Sequence, residues 1–194
     1  MPNYPITRKV FHVLGGALLV IAYSIFVQAY GKAVALFAAT VLLFSFLIFD
    51  GLRMAGKIST PFKEELFKES EKQTLNASTY LILGFVVCFA LFEFRIALIA
   101  FAMLILGDTS AALVGKRWGR HSISGTKKKI TWEGFLAGLG VNLIVGLVIW
   151  PRLAVILPMG IAASLTEATS SKIDDNLTVP VVAGLVGQLV VVLL

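Results

Sequence analysis

The chain has 194 residues, 58% of them hydrophobic and 14% charged, with a formal net charge of +6. Soluble domains carry roughly 25% charged residues, so this composition, with a mean hydropathy of +0.89, excludes an ordinary water-soluble domain and requires lipid as solvent for much of the surface. The basic excess then reads as topology and phosphate contact, not nucleic-acid binding, and the lone Cys88 excludes a disulfide framework.

Seven apolar segments are predicted to be membrane-spanning helices, over about 10–29, 32–50, 76–93, 95–114, 132–150, 152–170 and 177–194. No sustained alternation of a barrel type occurs, so the expected fold is all-α: a polytopic transmembrane helix bundle forming one membrane domain over 1–194. The first segment opens with Arg8-Lys9-Val10-Phe11-His12, in which Arg8 and His12 are four apart and share a helix face. Basic residues before an apolar run also suit a signal peptide, with Val27-Gln28-Ala29 as a weak cleavage site. Further apolar segments follow at once, so the segment is read as a span. The second span ends at Asp50, three residues before Arg53, a spacing that predicts an ion pair. Thr60-Pro61 then starts a short amphipathic surface helix expected within 58–74, with Phe62, Leu66 and Phe67 among Lys and Glu.

The segment from Leu106 to His121 carries the sharpest chemistry. Gly107, Ala111 and Gly115 recur every four residues and predict close helix packing. Asp108 should lie on the order of 10 Å inside the helix end, a depth at which a carboxylate is costly unless paired or bound to a metal. The following turn, from Lys116 through Arg120 and His121 to Lys128 and Lys129, is dense in positive charge and suits a polyphosphate. Glu133-Gly134 opens the next span, where Gly134, Gly138, Asn142 and Gly146 repeat the four-residue spacing. Near the far end, Glu167 precedes Asp174-Asp175-Asn176. One of these three explains a helix cap; the rest, with Asp108, form a set able to hold one or two hard divalent cations such as Mg²⁺.

Sidedness supports this grouping. With the N-terminus inside, every one of the 17 Lys and Arg except Lys32, Arg95 and Arg152 falls on the inner face, and of the 11 acidic residues only Glu93 falls outside. The Lys/Arg bias predicts a cytoplasmic N-terminus and a site facing the cytoplasm. No Walker phosphate loop, protein-kinase or dinucleotide signature, zinc cluster or Gly-x-Ser-x-Gly elbow is present.

Taken in order from about residue 8 to residue 180, Arg-Lys-x-x-His, Gly-Asp-x-x-Ala-x-x-x-Gly-x-x-x-Gly-Arg-His, a Lys-rich turn into Glu-Gly, and Glu followed by Asp-Asp-Asn-Leu-x-x-Pro resemble the CTP-dependent lipid kinases. That family includes dolichol, phytol and yeast-type diacylglycerol kinases. The resemblance implies transfer of the γ-phosphate of CTP to the hydroxyl of a membrane lipid alcohol, with Mg²⁺. It implies Asp108 and Asp175 as metal or phosphate-site carboxylates, supported by Asp174 and Glu167, with Arg8, Lys9, Lys116, Arg120, His121, Lys128 and Lys129 around the nucleotide phosphates. His12, His121 and a carboxylate stay open as acceptors of the alcohol proton. Glu133 and Asn176 belong to the motifs without an assigned task. A CTP:phosphatidate cytidylyltransferase shares the Gly-Asp, the basic turn and the late Asp before Pro, and is the alternative reading; a transporter or non-catalytic membrane protein is a third.

Overall fold

The computed structural model describes residues 6–58, 74–123, 130–170 and 173–194, with side chains from Lys9 onward. Among these described residues run seven helices in the predicted order: α1 (Ile6–Tyr30), α2 (Lys32–Met54), α3 (Ala77–Leu91), α4 (Phe94–Trp118), α5 (Trp132–Ile149), α6 (Leu153–Thr169) and α7 (Asp175–Leu193). Five are long and apolar enough to cross a bilayer, which by length and composition makes the chain a multi-pass membrane protein. α3 and α6 are apolar but shorter, at 15 and 17 residues. At 1.5 Å per residue they reach about 22 and 25 Å, somewhat less than a hydrocarbon core of roughly 30 Å. The expected amphipathic helix within 58–74 lies almost wholly outside the described residues.

Two compact units divide the chain at Val86/Val87, within α3. In the first, α1 and α2 are antiparallel neighbours joined by a tight turn at Gly31, whose φ of 85° is a backbone conformation that suits glycine. Tyr23 of α1 is buried and meets Phe85 of α3 edge to face at 5.3 Å. The predicted Asp50–Arg53 pair is present, at 2.9 Å. It belongs to a larger network. Asp50 is fully buried and also accepts from the Asn76 backbone N–H at 2.9 Å, Asn76 Nδ2 at 3.0 Å and Thr79 Oγ1 at 2.7 Å. Arg53 in turn donates to the Thr74 carbonyl at 2.7 Å. Asn76 uses its own side-chain oxygen to cap α3, accepting from Thr79 N–H at 2.9 Å. The end of α2 is therefore riveted to the start of α3.

In the second unit α4 to α7 pack as a bundle around Phe101, Met103, Leu104, Ile156 and Met159, all essentially buried. Between apolar helices in lipid there is little hydrophobic drive, so close backbone approach supplies the contact. The two glycine stripes do this for α4 and α5. Gly134, Gly138, Asn142 and Gly146 are the buried residues of α5. A Cβ on Gly134 would come within 2.7 Å of the Ala111 carbonyl oxygen and 3.1 Å of Gly115 Cα, backbone atoms that cannot swing aside. Gly134→Ala is thus expected to lower stability by about 1–3 kcal/mol through overpacking. Gly140→Ala, on an open face where a Cβ meets nothing within 4 Å, should melt no lower than the parent in detergent, since it gains helix propensity without overpacking. At the other end of the bundle, Gln188 Oε1 accepts from Glu93 N–H at 3.0 Å, tying α7 to the start of α4.

Candidate active site at one end of the second unit

α4 is not uniform. Residues Met103–Gly107 form a π-helical turn, and Asp108 is the first residue after it. Such turns widen the helix and leave carbonyls less well matched. Two neighbouring hydroxyls turn back onto carbonyls there: Thr109 Oγ1 donates to Ile105 O at 2.7 Å and Ser110 Oγ to Gly107 O at 2.8 Å. The π turn thus fixes the angular position at which the Asp108 side chain leaves the helix. α4 also continues to Trp118, four residues beyond the predicted limit at 114. Asp108 is consequently ten residues from the helix end, on the order of 15 Å deep rather than 10 Å. Lys116 and Arg117 can remain helical because their long stems carry the charge outward; both are exposed.

Beside Asp108 the bundle is joined by a buried amide. Asn142 of α5 donates through Nδ2 to Ser164 Oγ of α6 at 3.1 Å, both side chains buried. Its Oδ1 lies directly over Gly107, where any Cβ would collide with it. Three helices thus meet at Gly107, Asn142 and Ser164. Asp108 leaves this junction one residue away and Glu167 one helical turn away, toward the same end of the bundle. Both carboxylates are half-buried.

The basic turn is held by its stem. Ile123 N–H donates to Ile130 O and Trp132 N–H to His121 O, each at 2.9 Å, around an antiparallel bridge between Ser122 and Thr131. The Lys127–Lys129 stretch lies outside the described residues, but its two flanks are thus pinned side by side. Glu133 locks the stem to α5. Its Oε1 lies 2.7 Å from His121 Nδ1, and both its oxygens lie 3.3 Å from the His121 backbone N–H. His121 is therefore engaged through Nδ1 by Glu133, and its exposed ring offers Nε2 to solvent. Arg120 is exposed beside it.

At the neighbouring turn, Asp174 is the N-cap of α7, its Oδ1 accepting from Asn176 N–H at 3.0 Å. The helix-capping task foreseen for one member of Asp174-Asp175-Asn176 thus falls to Asp174, and Asp175 is the half-buried first residue of the helix. Asn176 is buried. Ser170 closes the turn, donating to Ile173 O at 2.9 Å and lying 3.1 Å from Thr178 Oγ1. Arg8, Lys9 and His12 are on α1, in the first unit; Lys9 and His12 are half-buried. Among the described residues no three His, Cys, Asp or Glu side chains converge as a ready-made metal cage.

Comparison with known proteins gives a consistent picture. No family model matches the chain, and no solved structure does. The chain is a distant homologue of phytol kinases and of a CTP-dependent diacylglycerol kinase. It is 29% identical to the phytol kinase of Synechocystis sp. over 93% of this chain and 77% of that protein. It is 26% identical to the probable phytol kinase 2, chloroplastic, of Glycine max over 95% of this chain and 65% of that protein. With the CTP-dependent diacylglycerol kinase 1 of Schizosaccharomyces pombe it shares 26% identity over 61% of this chain and 62% of that protein.

Proposed function

We propose that this protein is a CTP-dependent kinase that transfers the γ-phosphate of CTP to the hydroxyl of a membrane lipid alcohol: a polyprenol, a phytol-like alcohol or diacylglycerol. The observation that carries the reading is Asp108, a carboxylate deep in a span, presented by a π turn toward the bundle end that bears Lys116, Arg120 and the stem of the basic turn. Homology to lipid kinases over most of the chain supports it. In this reading the chain is one catalytic domain with its N-terminus and site on the cytoplasmic side, as the Lys/Arg asymmetry implies.

The transfer breaks the bond from the γ-phosphorus to the β,γ-bridging oxygen and forms one to the alcohol oxygen, releasing CDP. The alcohol proton passes to His12, His121 or a carboxylate. Such reactions need chiefly positioning and charge stabilisation. Lys116, Arg120, Lys128 and Lys129 supply cationic donors for phosphate oxygens. Asp108, Asp175 and Glu167 offer only hard oxygen donors, and one or two of them with nucleotide phosphates and water would suit Mg²⁺. Bound there, Mg²⁺ supplies neutralisation of phosphate charge.

Purified protein incubated with γ-³²P-labelled CTP, Mg²⁺ and a panel of lipid alcohols and phosphatidic acid tests this. Label in the lipid is the expected result. Labelled pyrophosphate released with phosphatidic acid would instead identify a cytidylyltransferase, and a folded sample yielding neither product would overturn both.

A further inference from the structure

The first unit contains an open apolar cleft of about 570 Å³ between α1, α2 and α3. Gly15, Leu19, Ala22, Leu42, Phe46 and Leu81 form its length, and His12, Asn76 and Ser78 stand at one end. From His12 to Ala22 it follows α1 for ten residues, about 15 Å, which is about half of a hydrocarbon core of roughly 30 Å. The cleft therefore runs from the polar end of the helices to about the depth of one leaflet.

We infer that this cleft holds the hydrocarbon chain of a neutral lipid alcohol, with the hydroxyl at His12 and Ser78. Its size falls within the range of sites that take one small molecule, so a single chain fits better than a diacyl lipid. Among the described residues the lining is uncharged, and a hydroxyl needs only neutral donors and acceptors of the kind that His12 and Ser78 carry. Ser78 is exposed and makes no side-chain hydrogen bond among the described residues. Asn76, by contrast, is committed to Asp50 and to capping α3, which makes the polar end rigid. Small residues at Gly15 and Ala22 provide the space: a Cβ on Gly15 would meet nothing within 4 Å.

The inference rests on the kinase reading for its choice of an alcohol, and it names where on this chain that substrate is bound. A C20 isoprenoid alcohol carrying a mid-chain diazirine, photolysed with the full-length protein in phosphatidylcholine nanodiscs, tests it. Adducts mapped by peptide mass spectrometry are expected on residues 15–22 and 42–46, lost on adding unlabelled alcohol but not phosphatidic acid. Gly15→Leu should cut this labelling roughly tenfold or more, since pocket shape alone discriminates on that scale. Replacing an interior helical glycine where there is open space raises helix propensity, so the variant should melt no lower than the parent. Adducts on α4 to α7, labelling insensitive to competitor, or Gly15→Leu labelled like the parent would overturn the assignment. The same samples assayed for transfer separate the two claims. Transfer with adducts elsewhere removes the cleft and leaves the kinase; competed adducts in the cleft without transfer keep the cleft and remove the kinase.

Discussion

Asp108→Asn is expected to reduce phosphate transfer from CTP by roughly two to three orders of magnitude, the scale on which removing one preorganised electrostatic group acts. The substitution keeps the shape of the side chain and removes only its charge. Asp108 is half-buried and directly follows the π turn, so the melting temperature measured beside the activity separates loss of the charge from loss of the fold. Full activity in Asp108→Asn would take this residue out of the site. A contrast at α7 sharpens the reading. Asp174 caps the helix, and Asn caps as well as Asp, so Asp174→Asn should remain close to wild type. Asp175→Asn, one position later, should fall with Asp108→Asn. Equal losses at both positions would mean that Asp174 also contributes its charge to the reaction.

The number and order of the described helices were legible because seven apolar runs are separated by charge clusters, and because glycine spacing of four encodes a helix face. The Gly107-Ala111-Gly115 stripe meets the Gly134-Gly138-Asn142 stripe as that spacing predicts. Other features have no local signature. Nothing in Met-Leu-Ile-Leu-Gly marks a π turn, since it depends on how α4 accommodates its neighbours. Asn142 reads as one polar member of a glycine stripe; its role at the junction arises only when Ser164, 22 residues on, is brought to it by the packing of α6. Likewise Asp50 and Arg53 were legible as a pair by spacing, but Asn76 and Thr79 reach Asp50 across 26 and 29 residues. Glu133 stood in a motif without a task. Its contact with His121 depends on the stem that brings residues 121 and 132 side by side.

That Asp50 network should dominate the stability of the first unit. Its carboxylate is wholly inaccessible and has donors on both oxygens: Arg53 and Asn76 Nδ2 on Oδ1, the Asn76 N–H and Thr79 Oγ1 on Oδ2. Asp50→Leu would leave the Arg53 guanidinium without its counter-charge, holding only the Thr74 carbonyl, and would take the Asp50 acceptor from three further donors in a buried site. Breaking a buried pair from one side costs about 3–5 kcal/mol, and a large fall in melting temperature in detergent is expected. Asp50→Asn does not rescue it fully, because an amide replaces one acceptor by an NH₂ that faces donors. The double variant Asp50→Leu/Arg53→Leu removes both charges together. It should recover a substantial part of the loss, because much of the cost lies in the stranded guanidinium and not in the missing attraction. If the double variant melts lower than Asp50→Leu alone, Arg53 contributes mainly through its bond to the Thr74 carbonyl, and the pair is not the rivet between α2 and α3.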